Sequence, residues 1–349
     1  MRIETLRLIG VAKDTLTAGP ESVYLDINTG CNLNCNFCWI HSPRQKTQPR
    51  PRNLPVPTII KVLDCAQKWG SSEIVLSGDG EPTFHPQFKT IAEECRRREF
   101  TTFLTTNAAF PEPLMATVAR IDYLYINFSA PNADLYAKIQ SPRNPRLFER
   151  VSRNLKILGA IAKKNKHPHL TIACIVNRSN FHAIPAVMDF AEKTGMHKIT
   201  FRMMEPTRAT RALLLSAGDK KALVRLARLQ CRTKRPFAHN LGDIVAGLED
   251  SPANPYRLGA CFSGWYNLFV DFNGNVGICC HNEKLIVGNL RHASLEDLWT
   301  GPRAQRLRLA CKYHFDIRRA PFKGECEWCH WQNANTAIAG ALTQFNHAR

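Results

Sequence analysis

The sequence predicts an α/β fold, a partial (β/α)6 TIM-like barrel followed by a small C-terminal α+β subdomain. Three observations predict it. Six short runs rich in β-branched and aromatic residues alternate with helical patterns from residue 22 to about 232. That alternation stops near residue 235. Beyond it, Phe272-Asn273-Gly274 separates two short apolar runs, as a hairpin turn does. Consecutive strand–helix units force each strand to cross over a helix before it pairs again, which makes the sheet parallel. In a curved sheet of this kind the chemistry belongs at the C-terminal ends of the strands.

The barrel strands are expected at residues 23–28, 73–77, 101–106, 123–129, 170–176 and 198–203, each bounded by polar residues, Gly or Asn. The helices between and after them are expected at 58–69, 86–98, 112–119, 145–164, 182–193 and 219–231, several opening on Pro or a capping residue. Residues 237–259, with Pro252 and Pro255, read as a loop. Segments 267–271 and 275–278 form the hairpin, and Ser294 with Asp297 opens a capped helix. The resulting division is a barrel (1–235), a linker (236–260), a C-terminal subdomain (261–330) and a polar, Ala-rich tail (331–349).

No apolar run is long enough for a membrane span, and the N-terminus lacks the basic, apolar, small-residue order of a secretory signal. The expected location is the cytoplasm, where thirteen cysteines read as metal or redox ligands rather than disulfides. A net charge of +18, from 47 basic and 29 acidic residues, suits an anionic partner: nucleic acid, an anionic small molecule or an acidic peptide. No Lys/Arg block forms an arm; the densest clusters, Arg96–Arg98 and 163–166, sit at helix ends.

Directly after the first strand comes Cys31-Asn-Leu-Asn-Cys35-Asn-Phe37-Cys38, a C-x3-C-x2-C loop. Structural zinc asks for four ligands, and nothing near supplies a fourth unless His41 does. A four-iron cluster held by three thiolates keeps one iron open to chelate a small molecule. A zinc loop and three buried thiols are the alternatives that the spacing leaves.

The loop resembles the signature of the radical S-adenosylmethionine superfamily, with Phe37 as its aromatic residue. The resemblance covers residues 22–205 and implies a primary 4Fe–4S cluster on Cys31, Cys35 and Cys38, with Phe37 packing on the adenine of S-adenosylmethionine. Gly78-Asp79-Gly80-Glu81-Pro82, after the second strand, is similar to the family's Gly-Gly-Glu-Pro segment, which binds the methionine amino group. It implies cofactor contacts from Gly78, Gly80, Glu81 and Pro82. Asn107, Ser129 and Asn177 (or Asn180) stand at later strand ends that family members use to hold cofactor or substrate. An external reductant such as flavodoxin or ferredoxin follows.

A second constellation comprises Cys261-x12-Gly274-x4-Cys279 and the pair Cys326-x2-Cys329. Four thiols from a hairpin and a C-x2-C loop can close on one metal centre, and a zinc staple fits that spacing too. Beside the first loop, the region is similar to the C-terminal extension of radical S-adenosylmethionine enzymes with auxiliary clusters. Without further cysteines beyond Cys329 it resembles the short "twitch" form of the SPASM extension. This implies one auxiliary 4Fe–4S cluster on Cys261, Cys279, Cys326 and Cys329. Cys280 adjoins Cys279 and would compete with it as ligand; adjacent strand residues face opposite ways, so only one reaches the centre. Cys65, Cys95 and Cys174 read as core residues.

The expected reaction is reductive cleavage of S-adenosylmethionine to a 5′-deoxyadenosyl radical, which removes a hydrogen atom from a small polar or anionic substrate: a sugar, aminocyclitol or nucleoside-like molecule. Only about twenty residues precede the first strand, which favours that class over leader-bearing peptides. Dehydrogenation is the expected outcome; epimerisation with Cys280 or Cys311 as hydrogen donor is the alternative. Glu205, Arg202 and Arg208, near the sixth strand end, are candidate substrate contacts. Modification of a peptide or an RNA stays open, and the non-enzyme readings are an iron–sulfur electron carrier and a zinc-stapled binding module.

Overall fold

The structure, a computed structural model, describes residues 2–47, 50–142, 144, 146–250, 259–316, 318–322, 326, 329 and 331–347. Among the described residues ten strands make one sheet: β1 (Ser22–Asp26), β2 (Glu73–Ser77), β3 (Thr101–Thr106), β4 (Tyr123–Asn127), β5 (His169–Val176), β6 (Lys198–Met203), β7 (Ala238–His239), β8 (Asn267–Val270), β9 (Asn275–Gly277) and β10 (Ile286–Asn289). Their order is β10-β9-β8-β1-β2-β3-β4-β5-β6-β7. Strands β1 to β7 pair in parallel, as the strand–helix alternation requires.

Alternation along β1 sets the two faces of the sheet. Val23 and Leu25 are fully buried among the helices, while Tyr24 and Asp26 take the opposite face, toward the barrel lumen. The outer helices present matching stripes: Val56–Lys68 buries Ile59, Val62, Leu63 and Ala66, and Phe88–Arg97 buries Phe88, Ile91 and Cys95. Cys95 and Cys174 are core residues; Cys65 is only partly covered and Cys231 is exposed.

Four features depart from the expectations. Residues 237–259 are not all loop: β7 and the helix Leu241–Leu248 lie within them, while residues 251–258 fall outside the described residues. Gly242 and Gly247 weaken the helical signal locally, but burial of Leu241 and Ile244 overrides propensity. A helix at Ala133–Ile139 precedes the long helix, which runs Leu147–Asn165; Pro145, its expected start, lies outside the described residues. Helix Pro302–Tyr313 was not expected, and the tail is helical over Gln332–His347.

The fourth departure positions the site. β8 pairs parallel with β1, Ser22 opposite Asn267, so the C-terminal hairpin continues the barrel sheet. The N-terminal helix Ile3–Ala12 also reaches across the expected boundary: Val11 packs with Phe262, Trp265 and Tyr266, and Trp265 Nε1 donates to the Thr15 carbonyl (2.9 Å). Among the described residues no helix is long and apolar enough to cross a membrane.

Candidate active site between two thiol constellations

Cys31, Cys35 and Cys38 lie on the loop that leaves β1, half-buried against the core. Amides point at their sulfurs: Leu33 N–H (3.4 Å) and Asn107 Nδ2 (3.9 Å) donate to Cys31, Ile40 N–H (3.4 Å) and His41 N–H (3.1 Å) to Cys38. Asn36 N–H ties the loop to the Ile139 carbonyl (2.8 Å), and Ser42 Oγ donates to the Asn36 carbonyl (2.9 Å). Burial pushes the Cys31 thiol up to about 12 and those of Cys35 and Cys38 upward as well, so metal loading must displace protons. Phe37 is partly covered by the core, whereas Trp39 is 53% exposed.

The turn after β2 is built for contact with this loop. A Cβ on Gly80 would meet the Gly30 carbonyl oxygen at 2.1 Å, and one on Gly78 the Asn28 carbonyl at 2.7 Å. These glycines therefore let two backbones touch; Gly80 N–H donates to the Asn28 carbonyl (3.1 Å) and Glu81 N–H to the Gly30 carbonyl (2.8 Å). The Glu81 carboxylate is buried and accepts from Thr83 Oγ1 (2.7 Å), Thr106 Oγ1 (2.7 Å) and Asn107 N–H (2.7 Å), which locks the ends of β2 and β3 together. Burial raises its pKa against those hydrogen bonds. Pro82 opens a short 3-10 turn behind it. Gly80→Ala is expected to cost about 1–3 kcal/mol by overpacking, read as a lowered melting temperature of the unloaded chain.

The later strand ends divide. Asn107 stays at the thiols, its Nδ2 also donating to Asn32 Oδ1 (2.8 Å). Ser129 is buried and its Oγ accepts from Ile175 N–H (2.9 Å). Asn177 accepts from Ser179 N–H (2.9 Å), and Asn180 donates to the Ser129 (3.0 Å) and Ile175 (2.8 Å) carbonyls. These three cap strands in this structure.

The second constellation gathers as its spacing suggests. Cys261, Cys279, Cys326 and Cys329 line one enclosed cavity, with Ser263, Phe322 and Trp331 around it. Residues 327 and 328, between the last two, lie outside the described residues. Asn335 Nδ2 donates to Cys261 Sγ (3.8 Å), Asn282 Nδ2 to Cys326 Sγ (3.7 Å) and His281 N–H to Cys279 Sγ (3.4 Å). Cys311, 1% exposed, lines the same cavity beside Cys261, its carbonyl taking Cys261 N–H (2.9 Å).

Cys279 and Cys280 separate. Cys279 faces the cavity, whereas Cys280 is absent from its lining and feels Cys279 and Cys329 first, then Asp26 of β1 and Arg202 of β6. Tyr24, the neighbouring lumen residue of β1, accepts from Trp331 Nε1 (3.3 Å), and Ser77 Oγ donates to Asp26. Asp26, Tyr24 and Trp331 carry no motif; only the alternation of β1 could have pointed to the first two. Glu205 is taken up by His281 Nε2 (3.0 Å), and Arg208 is an exposed loop residue.

An iron–sulfur cluster needs cysteine thiolates whose charge is met by N–H donors. Both constellations supply such donors, to Cys31 and Cys38 in the first and to Cys261, Cys279 and Cys326 in the second, with no acidic side chain among the ligand candidates. The fold and the two thiol sets together define an iron–sulfur enzyme built on a partial barrel. Comparison with known proteins agrees: residues 25–191 match the radical SAM superfamily and residues 261–330 the SPASM iron–sulfur cluster-binding domain. The chain belongs to the radical S-adenosylmethionine superfamily and carries a C-terminal SPASM-like subdomain.

Among the relatives, a tungsten-containing aldehyde ferredoxin oxidoreductase cofactor-modifying protein of Pyrococcus furiosus is 20% identical over 83% of each chain. A PqqA peptide cyclase of a Methylobacterium species is 23% identical over 92% of this chain and 83% of its own. A tRNA 4-demethylwyosine synthase of Pyrococcus horikoshii is 26% identical over 37% of this chain and 44% of its own. The solved structure of anSMEcpe with bound AdoMet superposes with a TM-score of 0.63 at 15% identity, covering 95% of this chain and 94% of that one; it shares the fold.

Proposed function

We propose that this radical S-adenosylmethionine enzyme removes a hydrogen atom from a residue of an acidic polypeptide and oxidises it. Cys31, Cys35 and Cys38 would hold the first cluster, and Cys261, Cys279, Cys326 and Cys329 the second. When bound, the first cluster and S-adenosylmethionine supply one-electron reductive cleavage, and with it a hydrogen-abstracting radical. The observation that carries the reading is the β1 face between the two thiol sets, where Ser77 holds Asp26 and Trp331 holds Tyr24, with the charges of Asp26 and Arg202 within electrostatic reach of Cys280. Asp26, oriented by Ser77, is placed to accept the proton that leaves the substrate radical, and the second cluster, when bound, would take up the electron left behind. Tyr24 and Trp331 wall the lumen with a closed hydrogen bond.

A polypeptide is favoured over the expected sugar-like substrate by two things. The relatives that align across both thiol sets act, by their names, on a peptide or on a cofactor, whereas the tRNA-modifying relative aligns over little more than a third of the chain. A groove of about 1290 Å3 also opens between helix Val56–Lys68 and the hairpin turn, larger than typical small-molecule pockets. Arg52, Lys61 and Arg291 line it, and its one acid, Asp64, is paired with Arg98 (2.6 Å). A glutamate-rich peptide is expected to bind the unloaded chain, and Lys61→Glu with Arg291→Glu to weaken that binding about tenfold, roughly 1.4 kcal/mol. Tight tRNA binding with a steep salt dependence, and none of the peptide, would overturn the substrate class.

The place of Cys280 in the lumen favours epimerisation as the second reading, its thiol returning a hydrogen atom to the carbon. Cys311, inside the enclosed cavity with Cys261, is the poorer donor. Turnover in deuterium oxide separates the two: oxidation leaves no new deuterium at the reacting carbon, whereas deuterium uptake lost in Cys280→Ala establishes epimerisation.

A further inference from the structure

The three thiols of the first loop are unequally supplied with hydrogen-bond donors. Cys31 receives Leu33 and Asn107, and Cys38 receives Ile40 and His41. Among the described residues, no other residue donates to the Cys35 sulfur; its own N–H is what it has. An unused donor stands close by. Tyr136 is 0% exposed, and its hydroxyl has no hydrogen-bond partner among the described residues. A buried hydroxyl left unpaired is costly, so each such group calls for a reason.

The helix that carries Tyr136, Ala133–Ile139, is fastened to the loop at the residue next to Cys35. Asn36 N–H donates to the Ile139 carbonyl (2.8 Å) and its Nδ2 to the Lys138 carbonyl (3.5 Å). Tyr136 stands one turn before Ile139, on the same helix face. Its ring packs against Phe128 and Phe148, with centroids at 6.3 and 5.6 Å, which restricts where the hydroxyl can turn. The hydroxyl end of the ring lies in the neighbourhood of Cys35, Cys31 and Glu81.

We infer that Tyr136 donates its hydroxyl hydrogen bond to the Cys35 thiolate when the first constellation is loaded, and so positions and tunes that site. The inference rests on the reading of Cys31, Cys35 and Cys38 as cluster ligands. A donor to a thiolate favours the reduced, more negative state of a cluster, so its loss moves the potential down.

The test is Tyr136→Phe in the full chain, loaded anaerobically with iron and sulfide and followed by electron paramagnetic resonance in a redox titration. The signal that changes on addition of S-adenosylmethionine belongs to the first site and separates it from the second. The variant is expected to keep its iron content while the midpoint potential of that signal falls. Before loading it should melt at the same temperature as the parent or higher, since the unpaired hydroxyl is gone. An unchanged potential overturns the assignment, because the hydroxyl then does not reach the sulfur. A lower melting temperature before loading also overturns it, because the hydroxyl then has a partner in the protein. A parent chain without any signal sensitive to S-adenosylmethionine overturns the ligand reading itself.

Discussion

Alanine in place of Cys31, Cys35 or Cys38 is expected to reduce S-adenosylmethionine cleavage to background. With three thiolates proposed for four irons, the site has no spare protein ligand, and loss of one leaves two irons without a thiolate. The loop itself should survive the change. Asn36 still ties it to the Ile139 carbonyl, Ser42 to the Asn36 carbonyl, and the β2 turn still packs on Gly30. The unloaded variants should therefore match the parent in circular dichroism, which separates loss of the cluster from loss of the fold. The measurement is 5′-deoxyadenosine released under dithionite after anaerobic reconstitution. Full production by any one of the three variants would remove that residue from the ligand set.

Removing Cys326 and Cys329 together is expected to halve the iron, from about eight to about four per chain, while 5′-deoxyadenosine formation persists. Both sulfurs line the enclosed cavity with Cys261, Cys279 and Cys311, so their loss leaves three thiols where a closed site needs four. Among the described residues the first loop shares no hydrogen-bond donor with that cavity, which is why cleavage should be spared. An unchanged iron count, with zinc in the isolated parent, would make the second constellation a staple.

How much of this was legible in the sequence depended on the range of the interaction. The first thiol loop is local: three ligands within eight residues, straight after a strand, carry their chemistry in their spacing. The six barrel strands were legible for the same reason, since β-branched runs and their punctuation are short-range signals, and Glu73–Ser77, Thr101–Thr106 and Lys198–Met203 fall where expected. Contacts between distant segments were not legible. Nothing in the sequence pairs Ser22 with Asn267, or brings the charges of Asp26 and Arg202 within reach of Cys280. The glycines after β2 were legible as candidate cofactor contacts, but their close approach to Gly30 and Asn28 was not. Cys279 and Cys280 were indistinguishable until the hairpin's orientation turned one toward the cavity and the other toward the lumen.

The pairing of β8 with β1 has a bearing on how this chain can be cut and how it can evolve. β1 carries the first thiol loop at its end and has β2 on one flank and β8 on the other. A shortened barrel ending near residue 260 would therefore strip one whole flank of β1 and bare its row of amides and carbonyls, with Val23 and Leu25 beside it. Such a raw edge recruits other chains. A truncation meant to isolate the radical chemistry would precipitate or swap strands rather than report on it, and point substitutions are the cleaner tool. By the same logic the C-terminal segment cannot be shed or exchanged as a cassette. A lineage that lost it would first have to rebuild the seam with a new strand, a bulge or a covering helix.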